Sequence, residues 1–525
     1  MSYPSSNLTF VQPTVDLWPI DSPPSRISYV LARSLRILRN AELRGIFLVA
    51  VAFCVLVSVV LHRQTKADEM FTQPKEAYAS ALKQHGPIIG VWRKGRLEYI
   101  VNEQYTNDIL NKDHEFSFER GVATILNLSF LVPFIGGNFF KDMHMMVSGG
   151  IIPRMDQTIE QIFPIFKRQA KILVEDAQRS QTGVDLFGHA RRCIAEAMLV
   201  VSFGEVAEEV ADAVATLTGI YQNTSYFART FPRTWKIITW VKVVSEVIVF
   251  KYFPMVLPII WKEVRSRKYR PLSSATLEQY GEEKSRTETL LHYAARVCAN
   301  TQGTVSFLST IWLSVVMLTF IFASVHQTAS VAVWIMYELA MRRKYIPAIQ
   351  EELSIVADSI DNDGVQRLSY EALRRATVLD SFIREVLRLK GDTLGVVRGT
   401  TGDIPLGGYV IPKDTLVYPL STLTHESRAI YGDDATTFDP QRWEEGPAAS
   451  TVTSGYLAFG SGRWACPGRV LAVAEIKMIV MTLIATSMPV MEGGKYIVVD
   501  PLNVTSVPPE GRLVLHPWNE TSNRG

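Results

Sequence analysis

The chain is poor in cysteine, nearly without net charge and free of repeats. Its 525 residues hold four cysteines, Cys54, Cys193, Cys298 and Cys466. That is too few for a disulfide-built scaffold and suits a reducing compartment. Lys and Arg number 54 against 52 Asp and Glu, a net charge of +2. Such balance argues against a broad nucleic-acid-binding surface, so no nucleic-acid partner is expected. Charged residues are 20% and hydrophobic ones 47%, which excludes a disordered chain. Mean hydropathy is slightly positive, at +0.10, and raises the question of membrane contact.

Residues 1–25 contain no Lys or Arg and carry five prolines (Pro4, Pro13, Pro19, Pro23, Pro24), so irregular structure is expected there. Arginines follow at Arg26, Arg33, Arg36, Arg39 and Arg44. The uncharged run GIFLVAVAFCVLVSVVL then extends from Gly45 to Leu61, and His62, Arg63 and Lys66 close it. As a helix it spans roughly 26 Å, the short end of what crosses a bilayer. It starts too far into the chain for a signal peptide and has no small-residue cleavage site. It also lacks the polar face of a surface helix. The expected organisation is a Pro-rich then Arg-rich segment (1–44), a transmembrane anchor (45–61) and one large domain (67–525).

That domain reads as mainly α with small β-sheets. Helical patterns fill the stretch after Gln73, residues 154–180 and 205–220, and most of 285–390. RLEYIVN (96–102) and GDIPLGGYVIPKDTLVYP (402–419) are the clearest strand regions, the latter punctuated by Gly407-Gly408 and Pro412. Residues 237–261 are aromatic and aliphatic, but Lys242, Glu246, Lys251, Pro254 and Pro258 interrupt them. They read as a surface-dipping or substrate-access element. From Gly303 to Met336 there is no Asp, Glu, Lys or Arg. Residues 305–325 therefore fit either a membrane span or a helix buried on all sides. Periodicity does not separate the two.

One cysteine stands in a special setting, FGSGRWACPGR, from Phe459 to Arg469. Gly460, Gly462 and Gly468 permit tight turning and close approach to a flat ligand. A helical pattern starts directly afterwards, and a cysteine ahead of a helix N-terminus has its thiolate favoured. The competing reading is a buried structural cysteine in a Gly-rich turn.

The segment resembles the haem-binding loop of the cytochrome P450 superfamily, F-x-x-G-x-R-x-C-x-G. Phe459, Gly462, Cys466 and Gly468 match. The basic position does not: Trp464 occupies it, with Arg463 beside it, so either the Arg463 guanidinium or the Trp464 Nε1–H would take over the haem-propionate contact. Two further motifs stand in the right order. LDSFIREVLRL carries Glu385 and Arg388, an E-x-x-R pair on one helix face. FDPQRW supplies Arg442 as the third member that the family places in this network. Arg398 resembles the family's propionate-binding arginine. Ala323-Ser324-Val325-His326-Gln327-Thr328 resembles the distal-helix signature A-G-x-D/E-T, with His326 at the acid position and Gln327 where the threonine usually stands. The resemblance places 305–325 in the interior above the haem.

The implied chemistry is a haem b iron with Cys466 as proximal thiolate ligand, O₂ as co-substrate, and electrons from an NADPH-dependent reductase, with cytochrome b5 as a further candidate donor. His326 and Thr328 are the candidates for a proton relay. The Gln327 amide is a candidate to hold a water or oxygen, because Thr328 points about 100° away on a regular helix. Arg463, Arg469 and Lys477 are candidate docking cations for the reductase. The expected substrate is a hydrophobic terpenoid, sterol or other secondary metabolite, and the expected location the endoplasmic reticulum membrane, single-pass, with a cytosolic catalytic domain. Charge around the anchor points the other way, since five arginines precede it. A glycan at the Asn7-Leu-Thr sequon would settle that orientation. Two other functions stay open: a haem-thiolate enzyme that rearranges peroxides without O₂ or reductase, and a multi-span membrane protein using 45–61, 237–261 and 305–325.

Overall fold

Helices predominate among the described residues, and a computed structural model describes residues 9–10, 70, 72–93, 96–125, 138–180, 183–204, 208–218, 237, 241, 253–269, 288–360 and 366–518. The anchor expected at 45–61, the segments before it, Asn7, Cys54 and most of 237–252 lie outside these residues. Two compact units are present. The first takes Met1–Asn127, Asn223–Val241 and Val397–Leu420; the second takes Leu128–Gln222, Lys242–Val396 and Ser421–Gly525. In the first of these, a strand from Val397–Leu420 pairs with an N-terminal hairpin.

In the first unit a five-stranded sheet runs in the order Ile88–Arg93, Arg96–Val101, Leu416–Pro419, Arg398–Thr400, Phe116–Ser117. Leu416 pairs in parallel with Glu98, and the other pairings are antiparallel. Glu98 is buried and meets Arg93 Nε at 2.5 Å and Arg96 Nε at 2.6 Å. Ile404–Leu406 and Tyr409–Ile411 form a hairpin. Its turn residues Gly407 and Gly408 both have positive φ, 57° and 85°, the left-handed pair that a two-residue hairpin turn requires.

The second unit is helical. Its principal elements are α1 (Asn138–Gly150), α2 (Met155–Ser180), α3 (Leu186–Phe203), α4 (Phe253–Ser266), α5 (Phe307–Met341), α6 (Thr377–Leu389) and α7 (Arg469–Thr486). Strands Ser487–Met491 and Leu513–Pro517 pair antiparallel beside them. Ser306 caps α5 by accepting the Ser309 N–H at 3.1 Å. By length and composition α5 could cross a membrane. Instead its residues from Leu313 onward pack largely inside this unit, and the Trp334 indole donates to Val504 O at 2.8 Å. From Thr328 to Ala340 every residue is buried, so that stretch needs no polar face. The interior assignment of 305–325 holds only from about Leu313. Phe307, Leu308 and Ile311 are exposed, because the apolar stretch begins before its packing partners do.

Lys477 sits in α7, which is otherwise nearly all apolar. It is not a docking cation: it is 4% exposed and committed internally. Its Nζ donates to Leu373 O (2.9 Å) and Ala376 O (3.0 Å) and pairs with Asp380 Oδ1 at 2.6 Å. Asp380 Oδ2 in turn accepts the Ala449 N–H. Lys477→Met would strand this carboxylate and should destabilise the fold by roughly 3–5 kcal/mol. Denaturant unfolding measures this, and a loss under roughly 1 kcal/mol would contradict the assigned pairing.

Candidate functional site

The Cys466 loop is shaped by its own backbone. Gly460 and Gly462 take φ of 73° and 67°, which side-chain-bearing residues rarely adopt. A 3₁₀ turn, Gly462–Trp464, follows, and the Cys466 N–H donates back to Phe459 O at 2.8 Å. Gly468 is the N-cap of α7. This fold-back leaves the Cys466 thiol accessible, although burial is the largest influence on it and raises its pKa above the usual thiol value. The N–H groups of Gly468 and Arg469 and the Arg469 charge act in the opposite direction and favour the thiolate. A Cβ added at Gly468 would meet nothing within 4 Å, so open space lies beside the loop.

These residues fit a thiolate-ligated macrocyclic iron. Among the described residues no three His, Cys, Asp or Glu side chains converge as a metal cluster would. Cys466 would therefore act as a single protein ligand, aided by two backbone donors. Arg398 belongs to the first unit. It is 1% exposed, and only its Nη1 is engaged, by Val397 O at 2.9 Å. Its Nε and Nη2 have no hydrogen-bond partner. Burial lowers its pKa to about 10, with Asp113 opposing. A buried guanidinium with two open donors is a place for an anionic group such as a propionate.

The two candidates for the missing basic position stack on one another. The exposed Arg463 guanidinium lies 5.2 Å over the Trp464 ring, and Phe140 of α1 stands edge-on to Trp464 at 6.3 Å. Phe459 packs against the hydrophobic core. Lys141 and His144 of α1 are exposed.

Glu385, Arg388 and Arg442 come together in the second unit. Arg388 grips both Glu385 oxygens, Nη2 to Oε1 at 2.7 Å and Nε to Oε2 at 2.8 Å, with both side chains fully buried. Arg442 Nε donates to Glu385 Oε1 at 3.2 Å and its Nη2 reaches Asp434 at 3.0 Å. The Asp439 N–H (2.9 Å) and Trp443 Nε1–H (2.9 Å) complete the carboxylate's shell. Arg388 Nη1 binds His425 O at 2.7 Å and also Ala435 O. Sequence reading missed Trp443 and His425. Trp443 stood beside Arg442 in the quoted motif, whereas nothing local marks His425.

On α5, Val315, Thr319 and Phe322 are half-buried and Ala323 and Gln327 are exposed, one stripe at helical spacing on an otherwise buried helix. His326, four residues after Phe322 and three after Ala323, shares that helix face but is covered, whereas Thr328 lies off it; each is 7% exposed. The His326 Nε2 meets Ser506 O at 2.7 Å, its ring stands edge-on to Phe187, and its Nδ1 has no partner. Burial lowers its pKa below the usual histidine value. The helix continues regularly through this segment, so Thr328 does not replace Gln327 on the accessible face. Cys193 and Cys298 are free, and burial raises both thiols, Cys298 to about 11.

A thiolate loop, a buried E-x-x-R clamp and a long distal helix together define a haem-thiolate protein. The cytochrome P450 family model matches residues 57–493, and the chain belongs to the cytochrome P450 family. Among similar curated proteins, cytochrome P450 734A6 of Oryza sativa subsp. japonica is 34% identical over 32% of this chain and 30% of its own length. Lanosterol 14-alpha demethylase of Eremothecium gossypii is 32% identical over 29% of this chain and 32% of its own. Abscisic acid 8'-hydroxylase CYP707A1 of Solanum lycopersicum is 30% identical over 38% and 40%. The chain spans about a third of the length of the curated relatives it matches. The retinoic-acid-bound cyanobacterial CYP120A1 shares the fold, with a TM-score of 0.61 at 17% identity over 84% of this chain and 94% of that one.

His425 gives the clamp a pH dependence. It is 2% exposed, its Nε2 accepts the Leu457 N–H at 2.8 Å, and burial followed by the Arg388 charge lowers its pKa to about 4. A folded pKa below the unfolded 6.5 gives stability that is complete above pH 6.5 and is lost as the pH falls toward 4. The loss should reach roughly 3 kcal/mol at the bottom of that window. Urea unfolding across it should show this slope in the native chain and a flatter one in His425→Gln.

Proposed function

We propose that the protein is a haem-thiolate monooxygenase that inserts one oxygen atom from O₂ into a hydrophobic small molecule. The observation that carries this is the exposed Cys466, whose sulfur is met by the Gly468 and Arg469 N–H groups. A bound haem b supplies O₂ activation, with a thiolate that favours O–O cleavage. The chain's own residues set the rest. Cys466 is the metal ligand, and Arg398 holds a propionate through its open donors. Trp464 and Arg463 border the other propionate. Glu385, Arg388 and Arg442 fix the segment before the loop.

Gln327 and Ala323 face the reacting side, and the Gln327 amide holds water or oxygen there. His326 lies on the same helix face under cover, with its unpartnered Nδ1 as the proton site, and Thr328 stands behind. Electrons come from an NADPH-dependent reductase, with cytochrome b5 as a further donor. The uncharged distal helix suits a terpenoid, sterol or other secondary metabolite, and relatives named for lanosterol and abscisic acid support that class. We place the protein in the endoplasmic reticulum membrane through residues 45–61, with the domain cytosolic.

One observation favours a second reading, a peroxide-rearranging enzyme: the accessible face presents an amide where a relay hydroxyl is usual. Electron dependence separates the two. Turnover of a hydrophobic substrate should require NADPH, reductase and O₂, and turnover of a hydroperoxide alone would contradict the monooxygenase reading. The reduced, CO-bound protein should show the red-shifted Soret band of a thiolate ligand, lost in Cys466→Ser. Gln327→Ala should lower product formed per NADPH roughly tenfold and raise peroxide release, while leaving that band in place.

A further inference from the structure

Three large apolar side chains at the start of α5 point into solvent: Phe307 is 62% exposed, Leu308 76% and Ile311 39%. Phe307 is part of a larger patch. Its ring stands edge-on to Trp261 of α4, centroids 5.7 Å apart, and the Arg265 guanidinium lies over the Trp261 ring at 4.1 Å. Around the indole the chain is basic. Lys262, Arg265, Arg267 and Lys268 are exposed, and the one carboxylate among them is Glu263. Glu263 is partly buried and shared between Arg267 (3.4 Å) and His292 (3.5 Å). Four cations against one carboxylate leave an excess of three positive charges.

We propose that this patch is a membrane-contact surface, seated in the headgroup and acyl boundary of a bilayer that carries anionic lipid. Each component has a place there. Leu308, Ile311 and Phe307 enter the acyl edge, as the apolar face of an interfacial helix does. Trp261 sits at the depth where an indole has an apolar body and a wet N–H. Lys262 and Lys268 extend outward to phosphates and carboxylates, beside Arg265 on the indole and Arg267 on Glu263.

Two other occupants fit less well. A second copy docked through a two-fold axis would set the basic rim against itself. A stable protein partner needs about 800 Å² from each side, and three exposed apolar side chains beside an indole fall short of an interface core. Nothing in this surface depends on the anchor expected at 45–61.

The test uses the full-length haem-loaded protein in phosphatidylcholine vesicles, with and without phosphatidylserine. A phospholipid with a diazirine on its acyl chain is photolysed, and the adducts are mapped by peptide mass spectrometry. Adducts should appear on the peptide holding 307–311 and increase with phosphatidylserine. They should fall roughly tenfold or more in the double variant Lys262→Glu, Arg265→Glu. Adducts at 45–61 report the anchor independently. Adducts at 307–311 without any at 45–61 would sustain this surface while contradicting the anchor. Adducts at 45–61 alone, none at either segment, or adducts at 307–311 indifferent to lipid charge would overturn the proposal. So would protein–protein cross-links through 307–311.

Discussion

The Glu385 carboxylate is the fixed point of the second unit. It is fully buried, and every group around it is a donor: the two nitrogens of Arg388, the Arg442 guanidinium, the Trp443 indole and the Asp439 N–H. A buried charge is tolerable only when its shell is complete. That requirement ties α6 to the segment 434–443, which lies just upstream of the Cys466 loop. Arg388 extends the tie through carbonyls of His425 and Ala435. Polar groups thus position a loop that apolar packing alone would leave free to shift. The same logic recurs at Lys477 and Asp380, where an ion pair inside the apolar α7 fastens α6 from its other end.

The site follows from this scaffold. Two left-handed glycines and a 3₁₀ turn bring the Cys466 N–H back to Phe459 O, and the start of α7 then supplies N–H groups to the sulfur. On the distal side, α5 presents one accessible stripe and hides the rest. His326 shares that helix face but is covered there, held by Ser506 and Phe187.

Much of this was legible in the sequence because it is local. The Cys466 loop, the E-x-x-R spacing and the paired glycines at 407–408 each encode their geometry within a few residues. The mostly helical class followed from periodicity. What was not legible depends on distant segments meeting. Lys477 read as a surface cation because nothing nearby announces Asp380, Leu373 and Ala376 as its partners. His425 had no local mark, since its partners are Arg388 and Leu457. Phe307 and Leu308 read as interior because hydropathy cannot tell a covered helix from one whose first turns emerge. The pairing of Leu416–Pro419 with Glu98–Val101 likewise joins strands more than three hundred residues apart.

The central claim is that Cys466 is the iron ligand of this fold. X-ray absorption at the iron edge of the haem-loaded ferric protein addresses it most directly. The account predicts a single sulfur neighbour of the iron, absent in Cys466→Ser. A shell of nitrogen and oxygen alone in the native chain, or a sulfur that persists in the variant, would contradict it.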